Sequence, residues 1–214
     1  MALTLYLHPL SSYCHKALTA LYENGTPFTP HSVNLMDQGE AAAFKAIWPI
    51  GKFPVLRDGD RVIPESTAII EYLALHYPGA TALVPKDAEA AFEARAQDRF
   101  YDLHVHTPMQ KIIGDRIRPD GKKDETGAAQ ARDALHVALG IAEKTMTGRT
   151  WAAGDAFSMA DCAAAPPLFY CDMVVDPFAG RYPNLLAYLA RLKQRPSYAR
   201  ALKEAEPFLH MVPR

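Results

Sequence analysis

The 214-residue sequence lacks several features that would each indicate a specialised class of protein. No uninterrupted apolar run approaches the length of about 18 residues that a transmembrane helix needs, and we expect no signal peptide because no basic segment precedes an apolar one. The three cysteines are few, odd in number and widely spaced, so a disulfide framework is not expected. Neither charge sign dominates, since 23 Lys and Arg oppose 24 Asp and Glu for a net charge of −1. We therefore expect a cytoplasmic globular protein without nucleic-acid or membrane partners.

The first 77 residues alternate between strand and helix patterns. Leu3, Leu5 and Leu7 alternate with polar or aromatic neighbours, which is typical of a strand. Apolar residues at helical spacing follow and end at Asn24-Gly25, a common helix stop. Asp58-Gly59 lies between two short apolar runs and predicts a hairpin. The predicted element order is β-α-β-α-β-β-α.

The rest of the chain shows only helical spacing. We predict an α/β domain over residues 1–78, a proline-flanked linker over 79–87 and an all-α domain over 88–214. The first helix of the second domain carries Phe92, Phe100 and Leu103, which we interpret as core residues. Pro108 lies where this helix should continue and predicts a kink or break.

A cluster of hydroxyl and thiol groups falls at the junction of the first strand and first helix, in Ser11-Ser12-Tyr13-Cys14. A serine there can cap the helix, or it can donate a hydrogen bond to a ligand thiolate that the helix dipole also favours. Cys14 is either an inert packing residue or a redox-active thiol. The residue spacing alone leaves both pairs of alternatives open.

Two further motifs follow in the first domain. Pro54 opens a strand and cannot donate a ladder hydrogen bond. If its peptide bond is cis, it turns the backbone N–H and C=O of Phe53 outward, and an extended peptide ligand could then pair with them. Lys52 beside it is either a solvated loop residue or a ligand for a carboxylate. Glu65 and Ser66 directly precede an amphipathic helix. They either cap that helix or bind a carboxylate and an ammonium group together.

The element order and these three motifs resemble the cytosolic glutathione S-transferases, in particular serine-type, bacterial-like members. The resemblance implies a thioredoxin-like first domain and glutathione as co-substrate. It implies that Ser11, or alternatively Ser12, activates the glutathione thiol and that the Phe53–Pro54 bond is cis. It also implies that Lys52 reaches the glycyl carboxylate and that Glu65 and Ser66 bind the γ-glutamyl end. Ser158 and Asp161 fit the helix-capping box of the family's second domain.

The same resemblance implies a small hydrophobic electrophile bound between the two domains, and a homodimer. The candidate residues for the electrophile site are Tyr101, His104, Val105, Met109 and Tyr170. His104 and His106 are two residues apart and point to different sides of a helix, so they make a poor shared metal site. We expect no metal, and we expect both histidines to be surface or interdomain residues.

Three functions remain open at this point. The first is a glutathione S-transferase in which the thiolate attacks a small hydrophobic electrophile. The second is a glutathione-dependent thiol-disulfide oxidoreductase that uses Cys14, and the third is a non-catalytic glutathione-binding protein. Serine in the leading position of the motif favours the first, and the presence of all three glutathione motifs argues against a degenerate site.

Overall fold

Strands and helices of the N-terminal part follow the predicted order. The computed structural model describes residues 3–213. The elements are β1 (Leu3–Leu7), α1 (Ser12–Glu23), β2 (Phe28–Ser32), α2 (Gln38–Ile47), β3 (Val55–Asp58), β4 (Arg61–Pro64) and α3 (Ser66–His76). The strands form one sheet in the order β2-β1-β3-β4, with β1 and β2 parallel and the other pairs antiparallel. The predicted βαβ and ββα arrangement is confirmed.

Buried leucines hold this sheet against its helices. Leu5 pairs with Leu56 on the neighbouring strand, and both side chains are fully buried. Strands β3 and β4 form the predicted hairpin around Asp58-Gly59, and Gly59 adopts a positive φ of 58° that a tight turn requires. The central strand β1 ends at Leu7, and a short loop then leads into α1.

The C-terminal part is helical. Its elements are α4 (Ala88–Phe100), a π-helical segment (Tyr101–His106), α5 (Thr107–Arg116), α6 (Glu125–Thr145), α7 (Met159–Tyr170), a second π-helical segment (Cys171–Val175), α8 (Pro183–Gln194), α9 (Pro196–Ala205) and a final 3₁₀ segment (Glu206–Met211). None of the helices within residues 3–213 combines the length and apolar character needed to cross a membrane. An α/β part followed by an all-helical part is the fold class that the sequence predicts.

The chain does not break at Pro108, because α4, the first π-helical segment and α5 follow one another without a gap. Pro108 lies in the first turn of α5, where its missing N–H is tolerated. The Thr107 N–H bonds to the Asp102 carbonyl five residues earlier, the spacing of a π turn. Such turns change the direction in which the following side chains project, and this one carries Asp102 and His106 inward.

The predicted core face of α4 is wrong for two of its three residues. Phe92 is 67 % exposed and Leu103 is 50 % exposed. The inward positions are instead Ala91, Ala94 and Asp98. Helix α4 packs on α7, whose own face is rich in alanine, so small side chains fit between them. Phe92 and Leu103 consequently face outward, whereas Phe100 is half-buried and packs against the core.

The predicted capping box at the start of α7 is confirmed. The Ser158 hydroxyl accepts from a backbone N–H of the first turn, and the Asp161 carboxylate accepts from the Ser158 N–H at 2.8 Å. Asp161 also accepts from the Ala152 N–H at 2.8 Å and from the Tyr188 hydroxyl. Although burial raises its pKa, these donors satisfy the carboxylate. Asp161 thereby ties the loop before α7 to both α7 and α8.

A buried ion cluster joins the two parts of the molecule. The fully buried Lys16 ammonium of α1 lies 2.7 Å from Asp98 Oδ1 and 2.8 Å from Asp102 Oδ2, both in the helical part. It also donates to Thr67 Oγ1 of α3 at 2.7 Å, and Thr67 donates on to Asp98 at 2.8 Å. Burial raises the pKa of Asp98, and the Lys16 charge opposes that rise. The cluster fixes α1, α3 and α4 relative to one another.

We expect Lys16→Met to destabilise the protein strongly, because two buried carboxylates would lose their counter-charge. Removing one partner of a buried ion pair costs about 3–5 kcal/mol. Chemical denaturation of wild type and variant measures the difference, with the exposed Lys86→Met as the matched control. Adding Asp98→Asn and Asp102→Asn to Lys16→Met should recover part of the loss, and an unchanged midpoint in Lys16→Met would contradict this account.

Candidate functional site

A cavity of about 710 Å³ lies where the start of α1 meets the helical part. We call it the serine cavity, because Ser11, Ser12 and Tyr13 form its wall at the first turn of α1. Met109 of α5 and Tyr170 of α7 line the opposite side. Its volume is in the range typical of small-molecule sites.

Ser11 is the N-cap of α1. Its backbone is extended, with φ −71° and ψ 114°, and its Oγ accepts from the Cys14 N–H at 3.3 Å. This contact uses an oxygen lone pair, so the hydroxyl proton can be donated to a group in the cavity. The capping role and the ligand role, which are alternatives in the sequence, are compatible in the structure.

Ser12 is held by two side chains of the helical part. Its Oγ lies 2.6 Å from His106 Nε2 and accepts from the Gln110 side-chain amide at 2.7 Å. Ser12 and His106 are both buried, and the His106 ring stacks on Tyr13 with centroids 3.7 Å apart. Burial lowers the pKa of His106 well below its usual value, so the ring is neutral at neutral pH. Ser12 therefore belongs to an interdomain hydrogen-bond network.

A second cavity of about 440 Å³ adjoins the serine cavity. We call it the Glu65 pocket, because Glu65 and Ser66 at the start of α3 line it together with Asp102. Four residues line both cavities, and they are Tyr13, Lys52, Phe53 and Thr107. The two cavities are therefore neighbouring sections of one cleft.

Glu65 has an unusual backbone conformation. Its φ is +69°, in a region that residues other than glycine rarely adopt. Its side chain makes no capping hydrogen bond to α3 and is exposed to solvent, while Ser66 beside it is 5 % exposed. Strained backbone of this kind is found preferentially at ligand sites. Glu65 thus lines the cleft and leaves its carboxylate unused in capping the helix.

The Phe53–Pro54 peptide bond is cis, as the resemblance implies. Pro54 is buried, whereas Phe53 is half-buried and packs on Phe44 with ring centroids 5.9 Å apart. Lys52 is exposed and contributes an ammonium group to the wall of both cavities. Lys52 and Phe53 line both sections of the cleft, and Pro54 lines the Glu65 pocket.

Cys14 lies one turn into α1 and is fully buried. Burial raises the pKa of its thiol to about 12, so the thiolate is almost absent at neutral pH. Cys162 and Cys171 are also free and buried, with the pKa of each raised by burial. The structure gives Cys14 the environment of a packing residue.

The five candidate electrophile-site residues separate into three groups. Met109 and Tyr170 line the serine cavity, and the Tyr170 hydroxyl donates to the Leu10 carbonyl at 3.0 Å. Tyr101 and Val105 are buried in the helical core and line neither cavity, because they lie on the inner side of the π-helical segment. His104 is exposed and lines a separate groove of about 880 Å³ between that segment and α6.

Several residues of the cleft are not predicted from the sequence. His106 and Gln110 hold Ser12, and Met36 together with the C-terminal residues Met211 and Val212 adds apolar wall to the serine cavity. The sequence predicts His104 and His106 only as surface or interdomain residues. In the structure His104 is exposed and His106 contacts Ser12 across the two parts. Ser12 and His106 are 94 residues apart, so no local pattern could connect them.

Within residues 3–213, no group of three or more histidine, cysteine, aspartate or glutamate side chains is arranged to hold a metal ion.

Comparison with protein-family models gives two matches. Residues 5–81 match the model described as glutathione S-transferase, N-terminal domain. Residues 100–196 match the model described as glutathione S-transferase, C-terminal domain.

Individual relatives agree with these matches. The chain is 31% identical over 181 residues to the glutathione S-transferase-like protein LUC7 of a Fusarium species, covering 82% of this chain and 81% of that protein. It is 28% identical over 214 residues to a probable maleylacetoacetate isomerase of Vibrio cholerae, and the match covers 97% of this chain and 98% of that protein. Among solved structures, a glutathione S-transferase of Methylobacterium radiotolerans in complex with glutathione sulfonate has a TM-score of 0.83 at 27% identity, covering 94% of each chain.

We expect the native protein to resist thiol reagents, since all three thiols are buried and protonated. Near neutral pH, a colorimetric disulfide reagent should titrate almost no thiol in the folded protein and all three after denaturation. One thiol that reacts rapidly before unfolding, and is lost in Cys14→Ala, would contradict the environment described for Cys14.

Proposed function

Because the chain belongs to the glutathione S-transferase family, we propose that it ionises the thiol of bound glutathione and presents the thiolate to a small hydrophobic electrophile. The observation that carries the proposal is the single cleft formed by the Glu65 pocket and the serine cavity. A hydroxyl with an available proton lies in one section, and a carboxylate beside a hydroxyl lies in the other. Glutathione has a thiol and an α-amino acid end with matching chemistry.

The charged ends of glutathione have complementary groups along this cleft. In our proposal Glu65 pairs with the α-ammonium of the γ-glutamyl residue, and Ser66 with the first N–H groups of α3 receives its carboxylate. Lys52 pairs with the glycyl carboxylate. The backbone of Phe53, next to Pro54, binds the cysteinyl residue between these ends. This arrangement directs the sulfur to the start of α1.

Two effects at the start of α1 favour the thiolate. The Ser11 hydroxyl donates a hydrogen bond to the sulfur, and a hydrogen bond to a charged group is worth about 1.5–3 kcal/mol. The N-terminus of α1 adds about 0.3–1 kcal/mol. One pKa unit corresponds to about 1.4 kcal/mol, so together these effects lower the thiol pKa by about one to three units. That shift is sufficient to produce a substantial thiolate fraction near neutral pH.

The remaining wall of the serine cavity suits an apolar second substrate. Its lining beyond the serines is mostly apolar, and includes Leu35, Met36, Met109, Ile113 and Tyr170. A small hydrophobic electrophile would lie against these side chains with its reactive atom towards the sulfur. The names of the relatives include an isomerase as well as transferases, so the proposal is restricted to thiolate attack and names no particular electrophile.

The alternative as a thiol-disulfide oxidoreductase receives little support, because the Cys14 thiol is buried and its pKa is raised to about 12. The alternative as a non-catalytic binding protein shares the same cleft. It differs from our proposal only in predicting that the bound thiol stays protonated.

Replacing Ser11 with alanine should raise the pKa of bound glutathione by about one to two units, since the sulfur loses a hydrogen bond worth about 1.5–3 kcal/mol. Conjugation of a generic aromatic halide should fall by about 10- to 100-fold near neutral pH. Ultraviolet absorbance of the thiolate as a function of pH measures the first effect, and steady-state kinetics measure the second.

Two variants control for other causes. Ser11→Ala also removes a helix cap, so Asp87→Ala, which removes the cap of α4, tests the effect of cap loss alone and should retain activity. Cys14→Ala should retain conjugation as well. Loss of activity in Cys14→Ala but not in Ser11→Ala would contradict our proposal and favour the oxidoreductase. Bound glutathione without any thiolate in wild type would favour the non-catalytic protein.

We further propose that the protein is a homodimer in the reducing cytoplasm, where its three free cysteines stay reduced. Leu75 of α3 is 75 % exposed and Phe92 of α4 is 67 % exposed. Each lies about one helical turn from the Glu71–Arg95 ion pair that joins these two helices. Exposed apolar side chains on adjacent helices are suited to contact with a second copy.

Light scattering of the purified protein should therefore give the mass of a dimer, and Phe92→Glu should shift it towards the monomer by placing a charge in the interface. Ile117 is an exposed apolar residue at the C-terminal end of α5. The variant Ile117→Glu is therefore the control, and it should stay dimeric. A wild-type mass equal to that of one chain would contradict the proposal.

A further inference from the structure

His106, Ser12 and Asp102 form a connected series that ends at the serine cavity. Ser12 lines that cavity, and its Oγ lies 2.6 Å from His106 Nε2. On the other side of the ring, His106 Nδ1 faces Asp102 Oδ1 at 4.0 Å. Within residues 3–213 both of these facing atoms are buried and have no hydrogen-bond partner. The series therefore has a defined direction, from a carboxylate through an imidazole to a hydroxyl.

The position of Asp102 selects the tautomer of His106. A proton on Nδ1 points at the carboxylate, whereas a proton on Nε2 would leave the Nδ1 lone pair facing an anion. Asp102 divides its oxygens between two neighbours, since Oδ2 accepts from Lys16 at 2.8 Å and Oδ1 is left for the ring. Electrostatics thus place the proton on Nδ1 and make Nε2 an acceptor.

The hydrogen bonding of Ser12 follows from that tautomer. Its single hydroxyl proton is donated to His106 Nε2, and one lone pair of Oγ accepts from the Gln110 amide. One lone pair remains, so Ser12 can only accept from a ligand in the cavity. In the resting protein Ser11 can donate to a sulfur, and Ser12 can accept from an S–H group.

We propose that Ser12 and His106 receive the proton of the glutathione thiol, so that the proton stays in the protein when the thiolate forms. This inference rests on the proposed function, since it assigns the fate of the proton in that reaction. The S–H bond breaks as its proton moves to Ser12 Oγ, and the original Ser12 proton moves to His106 Nε2. The products are a thiolate and an imidazolium, so the net charge of the site is unchanged.

The transfer also reverses the role of Ser12. Once His106 carries both ring protons, its Nε2–H donates to Ser12 Oγ, and the new Ser12 proton is donated to the thiolate. The sulfur then has two hydroxyl donors, Ser11 and Ser12, and the imidazolium lies between it and the Asp102 carboxylate. Each member of the series makes better hydrogen bonds to the charged products than to the neutral reactants.

The charged and titratable groups around His106 determine when this can happen. Lys16 and His15 of α1 disfavour the imidazolium, as does burial, and Tyr13 of the same helix stacks on the ring. Asp102 favours the imidazolium, and Asp98 of α4 compensates part of the Lys16 charge. Before glutathione binds, these groups keep His106 neutral and able to accept. The thiolate adds the second negative charge that stabilises the imidazolium.

Proton release on glutathione binding tests this inference. Wild-type protein is mixed with reduced glutathione in weakly buffered solution at about pH 7, with a pH indicator reporting released protons and ultraviolet absorbance reporting thiolate. S-methylglutathione, which has no thiol, corrects for protons released by other groups. We expect clearly fewer than one proton per thiolate in wild type, approaching zero, and about one in His106→Gln and Ser12→Ala. His104→Gln, two residues away in the groove beside α6, should behave as wild type.

Each outcome decides the question. One released proton per thiolate in wild type would overturn the relay and leave the proposed function intact. The same would hold if His106→Gln kept the wild-type ratio. If no thiolate formed in wild type, the relay and the proposed function would both be wrong. A wild-type ratio of one overturns the relay whatever the variants do, and a low wild-type ratio is assigned to Ser12 and His106 by its rise in either variant.

Discussion

The pairing of the buried Lys16 ammonium with Asp98 and Asp102 is the interaction on which the site depends. It is the point where α1, α3 and the first helix of the C-terminal part meet, through Thr67, Asp98 and Asp102. A buried charge is tolerated only when it is paired and hydrogen-bonded. The relative position of the two parts is therefore restricted to the arrangement that satisfies this ammonium. Asp102, Thr107 and Met109 of the helical part complete the wall of the cleft that Ser11 and Glu65 line, so the shape of the cleft depends on that arrangement.

The same cluster connects the glutathione site to the helical part chemically. Thr67 follows Ser66 directly along α3, and Asp102 both lines the Glu65 pocket and faces His106. Asp102 thus links the Glu65 pocket, through His106 and Ser12, to the serine cavity. In the proposed function, the N-terminal part provides the groups that hold glutathione, the helical part provides the imidazole, and both parts contribute apolar side chains to the wall of the serine cavity.

Local sequence patterns predict most of the N-terminal part, because its signals are short in range. Alternating leucines mark β1, Asn24-Gly25 ends α1, and Asp58-Gly59 turns the hairpin. Ser11, Phe53, Pro54, Glu65 and Ser66 come from motifs of a few residues, and they lie along one cleft. The packing of the helical part is harder to predict from the sequence. There the apolar stripe through Phe92 and Leu103 faces outward, while Asp98 faces inward and pairs with Lys16. The partner of Asp98 is far away in the sequence, as Ser12 is from His106, so residue spacing could not reveal either contact.

The central claim is that glutathione lies along this cleft with its sulfur at the start of α1. A crystal structure of the protein with S-methylglutathione tests it most directly. We predict that the sulfur lies within hydrogen-bond distance of Ser11 Oγ, with the α-ammonium against Glu65 and the glycyl carboxylate near Lys52. A ligand whose sulfur lies away from Ser11, or whose γ-glutamyl end lies outside the Glu65 pocket, would contradict the account.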